Sequence, residues 1–176
     1  MTGGRGAGLA LLALAGVLFM VAVVSGWSAA SGLQGREGTA RAVEQAATDF
    51  VAAHGTFDYR DPHVYAQRLV PLTSGLLHTA LAAAAVDPAA LGAERSVTTR
   101  IERVSVTALS DDAATAVVTA VQVRRWVDRA AASSDHQQLQ ETVRQRMTCR
   151  LVREDGRWLV AAVHLESVEQ VGATGR

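Results

Sequence analysis

The chain has 176 residues, of which 17 are basic and 17 acidic, so its formal net charge at pH 7 is zero. This length supports one compact domain behind an N-terminal segment and is too short for two full-sized domains. The balanced charge argues against a general attraction to nucleic acid or to an anionic membrane surface, and the single cysteine excludes an internal disulfide.

The first predicted element is a membrane-spanning helix. Residues 6–35 contain no charged side chain, and residues 9–24 are almost all Leu, Ala, Val, Phe and Met. About 20 such residues in a helix cross the hydrocarbon layer of about 30 Å, and Trp27 lies where an interfacial aromatic ring is favoured. We therefore predict a cytoplasmic stub and transmembrane anchor over residues 1–27, in contact with membrane lipid. A flexible tether rich in Ser and Gly is predicted over residues 28–38.

The orientation of this anchor follows from the charge that precedes it. Arg5 and the terminal amine come before the apolar run, which favours a cytoplasmic N-terminus and an extracytoplasmic C-terminal domain. The alternative is a cleaved secretory signal, because Ser28-Ala29-Ala30 is an acceptable small-residue cleavage site. The apolar run is longer than the roughly 7 to 15 residues of a signal core, so we expect a single-pass protein of the cell membrane.

Three helices are predicted to open the domain. The first begins at Thr39, ends near residues 54–55, and carries an apolar stripe at three-and-four spacing formed by Val43, Ala46, Ala47, Phe50 and Val51. The second begins at Asp61-Pro62, with the Asp61 carboxylate as its cap, and ends near Leu69. The third is capped by Thr73 and continues until Asp87-Pro88 breaks the pattern.

Four strands are predicted to follow, because the apolar periodicity changes from helical to alternating. Their bounds are Ser96–Leu109, Thr115–Asp128, Leu139–Glu154 and Arg157–Leu165. A shift in the apolar phase of the first strand predicts a bulge near Glu102 or Arg103. Asp155-Gly156 suits a tight hairpin turn between the last two strands. Residues 166–176 contain few apolar side chains and are predicted to form a frayed tail.

The order of the elements predicts an α+β fold: a transmembrane helix, then a cone of three helices packed on a curved four-stranded antiparallel sheet over residues 39–165. Two segments of this chain, AATDFVAAHGTFDYRDPHVYAQRLVPLTSGLL at residues 46–77 and RLVREDGRWLVAAV at residues 150–163, carry a resemblance to a known family. The chain resembles the membrane-anchored members of the cystatin-like or nuclear-transport-factor-like cone family. It is similar in particular to TcpC-like conjugation proteins, related to the inner-membrane scaffold of type IV secretion, and to actinobacterial Mce-associated membrane proteins.

This resemblance implies a function as well as a fold. It implies a non-enzymatic scaffold that assembles with other envelope proteins in a conjugation or type IV secretion apparatus. The alternative within the same resemblance is an accessory protein of Mce lipid import. Association between copies of the chain is compatible with either role.

A small-molecule-binding or isomerase-like domain is a further alternative, because a cone can shelter a carboxylate whose pKa rises on desolvation. The candidate pocket rim consists of His54, Asp58 and Tyr59. Their spacing does not form a catalytic set, so no catalytic residue is predicted. The five histidines form no metal-binding pattern, and no metal or cofactor is predicted.

A basic sheet surface is the other candidate site. Arg144 and Arg146 alternate on the face of the third predicted strand opposite the apolar residues, and Arg124 and Trp126 share one face of the second. We take Arg124, Trp126 and Arg146 as candidate interface residues for a protein partner rather than for nucleic acid. The alternative is an ordinary solvated sheet face balanced by Glu141, Glu154 and nearby acids. Cys149 falls on the apolar face and is predicted to lie in the core.

Overall fold

The computed structural model describes residues 35–84, 87–128 and 137–175. The predicted anchor over residues 1–27 and the predicted tether as far as residue 34 lie outside the described residues. Within the described ranges, no helix has the length and apolar content needed to cross a membrane. The compact unit to which the sheet and its covering helices belong begins at Ala40.

The helices lie in the first half of the described chain. Helix α1 covers residues 35–54, so it is already helical four residues before the predicted start. Helices α2 (Pro62–Leu69) and α3 (Gly75–Ala83) are separated by a 3₁₀ turn, Val70–Leu72, which contains Pro71. A short helix α4, Pro88–Gly92, was not predicted. It forms because Pro88 takes the first helical position and the Asp87 carboxylate accepts a hydrogen bond from the amide of Ala89 at 2.9 Å.

The predicted caps of α2 and α3 are wrong in detail. Asp61 occupies the position before α2, but its side chain makes no capping hydrogen bond, and Pro62 supplies the start signal. Ser74, rather than Thr73, occupies the cap position of α3. The Thr73 hydroxyl instead donates to the carbonyl oxygen of Val70 at 2.9 Å and closes the 3₁₀ turn. The Ser74 hydroxyl donates to the carboxylate of Glu154 in the sheet, which ties the start of α3 to the hairpin.

The described sheet has five antiparallel strands, rather than the four predicted, in the order β1-β2-β3-β4-β5. Strand β1 (Phe57–Asp58) pairs with the beginning of β2 and is too short to show an alternating pattern. The other four strands are β2 (Ser96–Leu109), β3 (Ala113–Asp128), β4 (Gln137–Glu154) and β5 (Arg157–Gly175). The fold is therefore α+β, with a curled antiparallel sheet and few helices.

The bulge and the hairpin are where the sequence predicts them. The register between β2 and β3 shifts between Ile101 and Arg103, which bends the strand at that point. Asp155 and Gly156 both have positive φ, 50° and 79°, as a two-residue turn between twisted strands requires.

The predicted C-terminal tail is wrong, because residues 166–175 continue strand β5. This segment pairs with the first half of β4, and the last pair joins Gly175 to Leu139. The side chains of residues 166–173 are exposed. The pairing of this segment with β4 therefore depends on backbone hydrogen bonds and needs few apolar residues. A composition poor in apolar residues therefore could not distinguish this strand from a tail.

The core lies between α1 and the inner face of the sheet. The predicted stripe of α1 is buried, with Val43, Ala47, Phe50 and Val51 inaccessible to solvent. On β3, the valines at positions 117, 121, 123 and 127 are only partly buried. The residues that alternate with them on the strand face α1, namely Ala114, Ala116, Val118 and Ala120. Cys149 is buried in the same core, as predicted, and its burial raises the pKa of the thiol to about 11.

A pair of leucine substitutions tests this arrangement. Leu69 is fully buried, whereas Leu76 at the start of α3 is 88% exposed. We expect Leu69→Ala to lower the free energy of unfolding by about 2–5 kcal/mol, because it leaves a cavity in the core. The matched control Leu76→Ala should change it by less than about 0.5 kcal/mol. The measurement is urea denaturation of the full chain, and equal effects of the two substitutions would contradict the described packing.

Candidate binding site

A cavity of about 510 Å³ opens where the ends of α1, α2 and α3 meet the inner face of the sheet. Its helix side is largely apolar, and its sheet side carries polar groups. Among its lining residues are His54, Gly55, Tyr65, Gln122, Arg124 and Gln145. A volume of this size lies within the roughly 300–1,000 Å³ range of small-molecule sites.

His54 forms one wall of the cavity and is held in place by aromatic rings. Its imidazole stacks on Phe50 with the ring centroids 5.6 Å apart. The hydroxyl of Tyr65 donates to the carbonyl oxygen of His54 at 3.1 Å, and the Tyr65 ring meets Phe57 edge-on. Burial lowers the pKa of His54 and raises the pKa of Tyr65. Both side chains therefore favour their neutral forms at pH 7.

Two buried glutamines lie on the sheet side of the cavity, and sequence reasoning singled out neither. Gln122 and Gln145 are 6% and 5% exposed, and they belong to neighbouring strands. Arg124 donates two hydrogen bonds to Oε1 of Gln122, from Nε at 3.3 Å and from Nη2 at 3.1 Å. The available signal was their position: each glutamine falls where the alternation of its strand places a core residue.

Gly55 allows the end of α1 to approach the sheet closely. A Cβ atom at this position would lie 2.6 Å from Nε2 of Gln122 and would also collide with the Thr99 hydroxyl. That hydroxyl donates to the carbonyl oxygen of Gly55 at 2.5 Å. The missing side chain of Gly55 is therefore what permits α1, β2 and β3 to meet at the cavity.

Asp58 and Tyr59 do not line the cavity, although both belong to the predicted rim. Asp58 accepts a hydrogen bond from the amide of Arg60 at 3.0 Å in the turn after β1. The Tyr59 hydroxyl donates to Glu94 at 3.4 Å, and the Arg60 guanidinium lies 5.5 Å from the centre of the Tyr59 ring. Of the three predicted rim residues, the structure places His54 alone in the cavity wall.

The three candidate interface residues do not share one surface. Arg124 and Trp126 lie on the inner side and, together with Glu141, line a hollow of about 340 Å³ next to α4. Arg146 lies on the outer face of β4, because the alternate residues Gln145 and Met147 are buried.

Two arginines of the outer face are paired with carboxylates. Arg146 donates to Glu166 at 2.7 Å, and Arg144 reaches Glu102 at 3.0 Å and Glu169 at 3.7 Å. These contacts connect β2, β4 and β5 across the surface. Of the acids named in the alternative prediction, Glu141 lies 3.8 Å from Arg124, whereas Arg144 and Arg146 are paired with other glutamates.

The cavity is better suited to binding than to acid–base chemistry. The side-chain neighbour of the His54 ring nitrogen Nδ1 is the Tyr65 hydroxyl at 3.3 Å, rather than a carboxylate that would orient a general base. Asp87 also lines the cavity, but its carboxylate caps α4. Among residues 35–84, 87–128 and 137–175, no three His, Cys, Asp or Glu side chains are grouped to hold a metal ion.

Neither a family model nor a curated protein matches the chain by sequence. Several solved structures are similar to it. An "Ntf2 like protein involved in plasmid conjugation" is 12% identical, with 68% of this chain and 45% of that chain aligned and a TM-score of 0.46. The Agrobacterium tumefaciens VirB8 protein is 9% identical over 73% of this chain and 94% of that one, with a TM-score of 0.46. The TraE protein in complex with 2-(2-furyl)isonicotinic acid is 14% identical over 69% of this chain and 91% of that one, with a TM-score of 0.44. This chain thus spans less than half the length of the first of these proteins.

The close approach at Gly55 can be tested by substitution. We expect Gly55→Ala to lower the free energy of unfolding by about 1–3 kcal/mol, because the new methyl group overpacks the contact with Thr99 and Gln122. Thr99→Ala removes the nearest atom, so the cost of Gly55→Ala should be smaller in that background. Gly92→Ala is the matched control, since a Cβ there meets no atom within 4 Å. Urea denaturation measures all four variants, and equal costs at Gly55 and Gly92 would contradict the geometry.

The buried His54 should make stability depend on pH. Because burial lowers the folded-state pKa, the contribution of His54 is present above the unfolded pKa of about 6.5 and is lost as the pH falls through the folded pKa. Between about pH 7.5 and about pH 5, the loss of unfolding free energy should therefore be smaller in His54→Gln than in wild type. The exposed His63 provides the control, since His63→Gln should keep the wild-type loss. An unchanged pH dependence in His54→Gln would refute the assignment.

Proposed function

We propose that this chain is a non-enzymatic scaffold of the cell membrane, which assembles with other proteins of a conjugation or type IV secretion apparatus. Its N-terminal segment anchors it with the N-terminus in the cytoplasm. The folded domain lies outside the membrane and makes the protein contacts. The setting is the one that the sequence resemblance implies.

The observation that carries this proposal is the exposed apolar part of strand β5. Leu165, Val168 and Val171 are 49%, 50% and 52% exposed. Leu165 is opposite the buried Met147, and Val168 is opposite the buried Gln145, so these two side chains extend the inner face of the sheet beyond its helix cover. Adjoining apolar side chains that stay in contact with water favour a protein partner.

The electrostatics of the domain favour a protein partner over nucleic acid. The outer-face arginines Arg144 and Arg146 are each paired with glutamates, and the whole chain has no net charge. Binding to a phosphate backbone requires unpaired cations that release counterions. Paired charges of this kind are more compatible with a solvated surface beside the contact site of a protein partner than with a nucleic-acid-binding surface.

Photo-crosslinking in living cells tests the proposal. A photoreactive amino acid at Val168 should crosslink to subunits of the conjugation or secretion apparatus, because that side chain lies in the proposed contact. The matched control is Thr107, an exposed position on β2. Strand β2 lies towards the edge of the sheet that is away from β5, so no such crosslink is expected there. Recovery of Mce transport subunits from Val168 would support the alternative of lipid import. Identical products from both positions would show that β5 is not the contact.

The cavity beside His54 favours a second candidate, a domain that binds a small molecule. Its volume of about 510 Å³ and its mixed lining provide room and hydrogen-bonding groups for such a ligand. The two sites adjoin, because Leu165 lines the cavity and also belongs to the exposed apolar part of β5. A scaffold whose assembly responds to a ligand would use both.

A further inference from the structure

Gln145 is a buried polar group without a protein partner. It is 5% exposed and lines the cavity. Across the ranges 35–84, 87–128 and 137–175, its amide forms no hydrogen bond, and none of its atoms is sealed off from the cavity. The polar atoms of this amide therefore remain open to a hydrogen-bonding partner that enters from the cavity.

Gln122 adds a second donor on the same surface. Arg124 can only donate hydrogen bonds, so the two bonds at 3.1 and 3.3 Å fix Oε1 of Gln122 as the atom that faces the guanidinium. The Nε2 group therefore points the other way, towards the position beneath Gly55. Gln122 pairs with Val143, two residues from Gln145 on the same face, so the two amides are diagonal neighbours.

The charges around the cavity favour a neutral ligand. Arg124 already bonds Gln122 and lies 3.8 Å from Glu141. Arg95 and Asp87 are both exposed at the mouth and oppose each other in sign. His54 favours its neutral form. An ion bound against the glutamines would lose its hydration without meeting a buried counter-charge, which is costly.

From these contacts we infer that the cavity binds a small neutral molecule that carries an amide edge, as in a lactam or a carboxamide, on an apolar body. Gln145 recognises that edge: its N–H donates to the ligand carbonyl, and its Oε1 accepts from the ligand N–H. Gln122 Nε2 supplies a further donor to the same carbonyl. The apolar body lies against Leu69, Leu81 and Val97, which also line the cavity. This inference is independent of the proposed scaffold function.

A matched series of probes tests the inference. Caprolactam presents an adjacent C=O and N–H on a seven-membered ring, N-methylcaprolactam lacks the N–H, cycloheptanone has the carbonyl alone, and cyclohexanecarboxylate is anionic. Binding to the full chain in lipid nanodiscs is followed by ¹H–¹⁵N correlation spectra, which include the side-chain amides. We expect caprolactam to bind about tenfold more tightly than each of the other three, the equivalent of one hydrogen-bonded contact.

Variants connect that selectivity to Gln145. Gln145→Leu should bind caprolactam no more tightly than cycloheptanone. Gln138→Leu makes the same change on the same strand at an exposed position and should keep the tenfold preference. Ala66→Phe fills the cavity from α2 and should weaken all four probes. The correlation spectra also report whether each variant is folded, and Gln145→Met is the substitute if Gln145→Leu is not.

Several outcomes would overturn the inference. One is wild-type protein that binds cycloheptanone or the carboxylate as tightly as the lactam. Another is a tenfold lactam preference that survives in Gln145→Leu or Gln145→Met. Absence of lactam binding up to its solubility limit would show that water alone occupies the polar side of the cavity.

Discussion

The packing of α1 against the small residues of β3 is the constraint on which the rest of the structure depends. Phe50 and Val51 of α1 and Ala116 and Ala120 of β3 are all inaccessible to solvent, so helix and sheet are in direct contact there. Alanine lets the helix backbone approach closely, and a chain without disulfides needs such dense packing to be stable. The other helices then cover what α1 leaves open, with α3 joined to the hairpin through Ser74 and Glu154.

The same geometry explains why a cavity forms at one end of this contact. The inner face of β3 changes from small apolar residues to Gln122 and Arg124 just where α1 ends at Gly55. The chain then turns away through β1 and α2, and His54 at the end of α1 forms one wall beside this polar end of the face. The contact at Gly55 borders the cavity on one side, and residues of the shorter helices line it as well.

How far the sequence predicts this fold depends on whether a signal is local. The stripe of α1, the bulge after Ile101 and the turn at Asp155-Gly156 each follow from residues close in the chain, and all three are present. Strand β1 is too short to have a period, and the second half of β5 depends on pairing with residues about 20 to 40 positions earlier, which no local pattern shows. For the same reason, the placement of Arg146 on the face opposite Arg124 required the register as well as the alternation.

The candidate site was harder to predict because its polar groups occupy apolar positions of the pattern. His54 was a candidate for the rim of a cone pocket, whereas Gln122 and Gln145 interrupt the apolar alternation on the core-facing side of their strands. The physical difference between the two glutamines emerges only in three dimensions. Arg124 satisfies and orients the Gln122 carbonyl, which makes that side chain part of the fold. Gln145 has similar burial without such a partner, and a polar group that stays accessible from a cavity is the kind of group through which a ligand can be recognised.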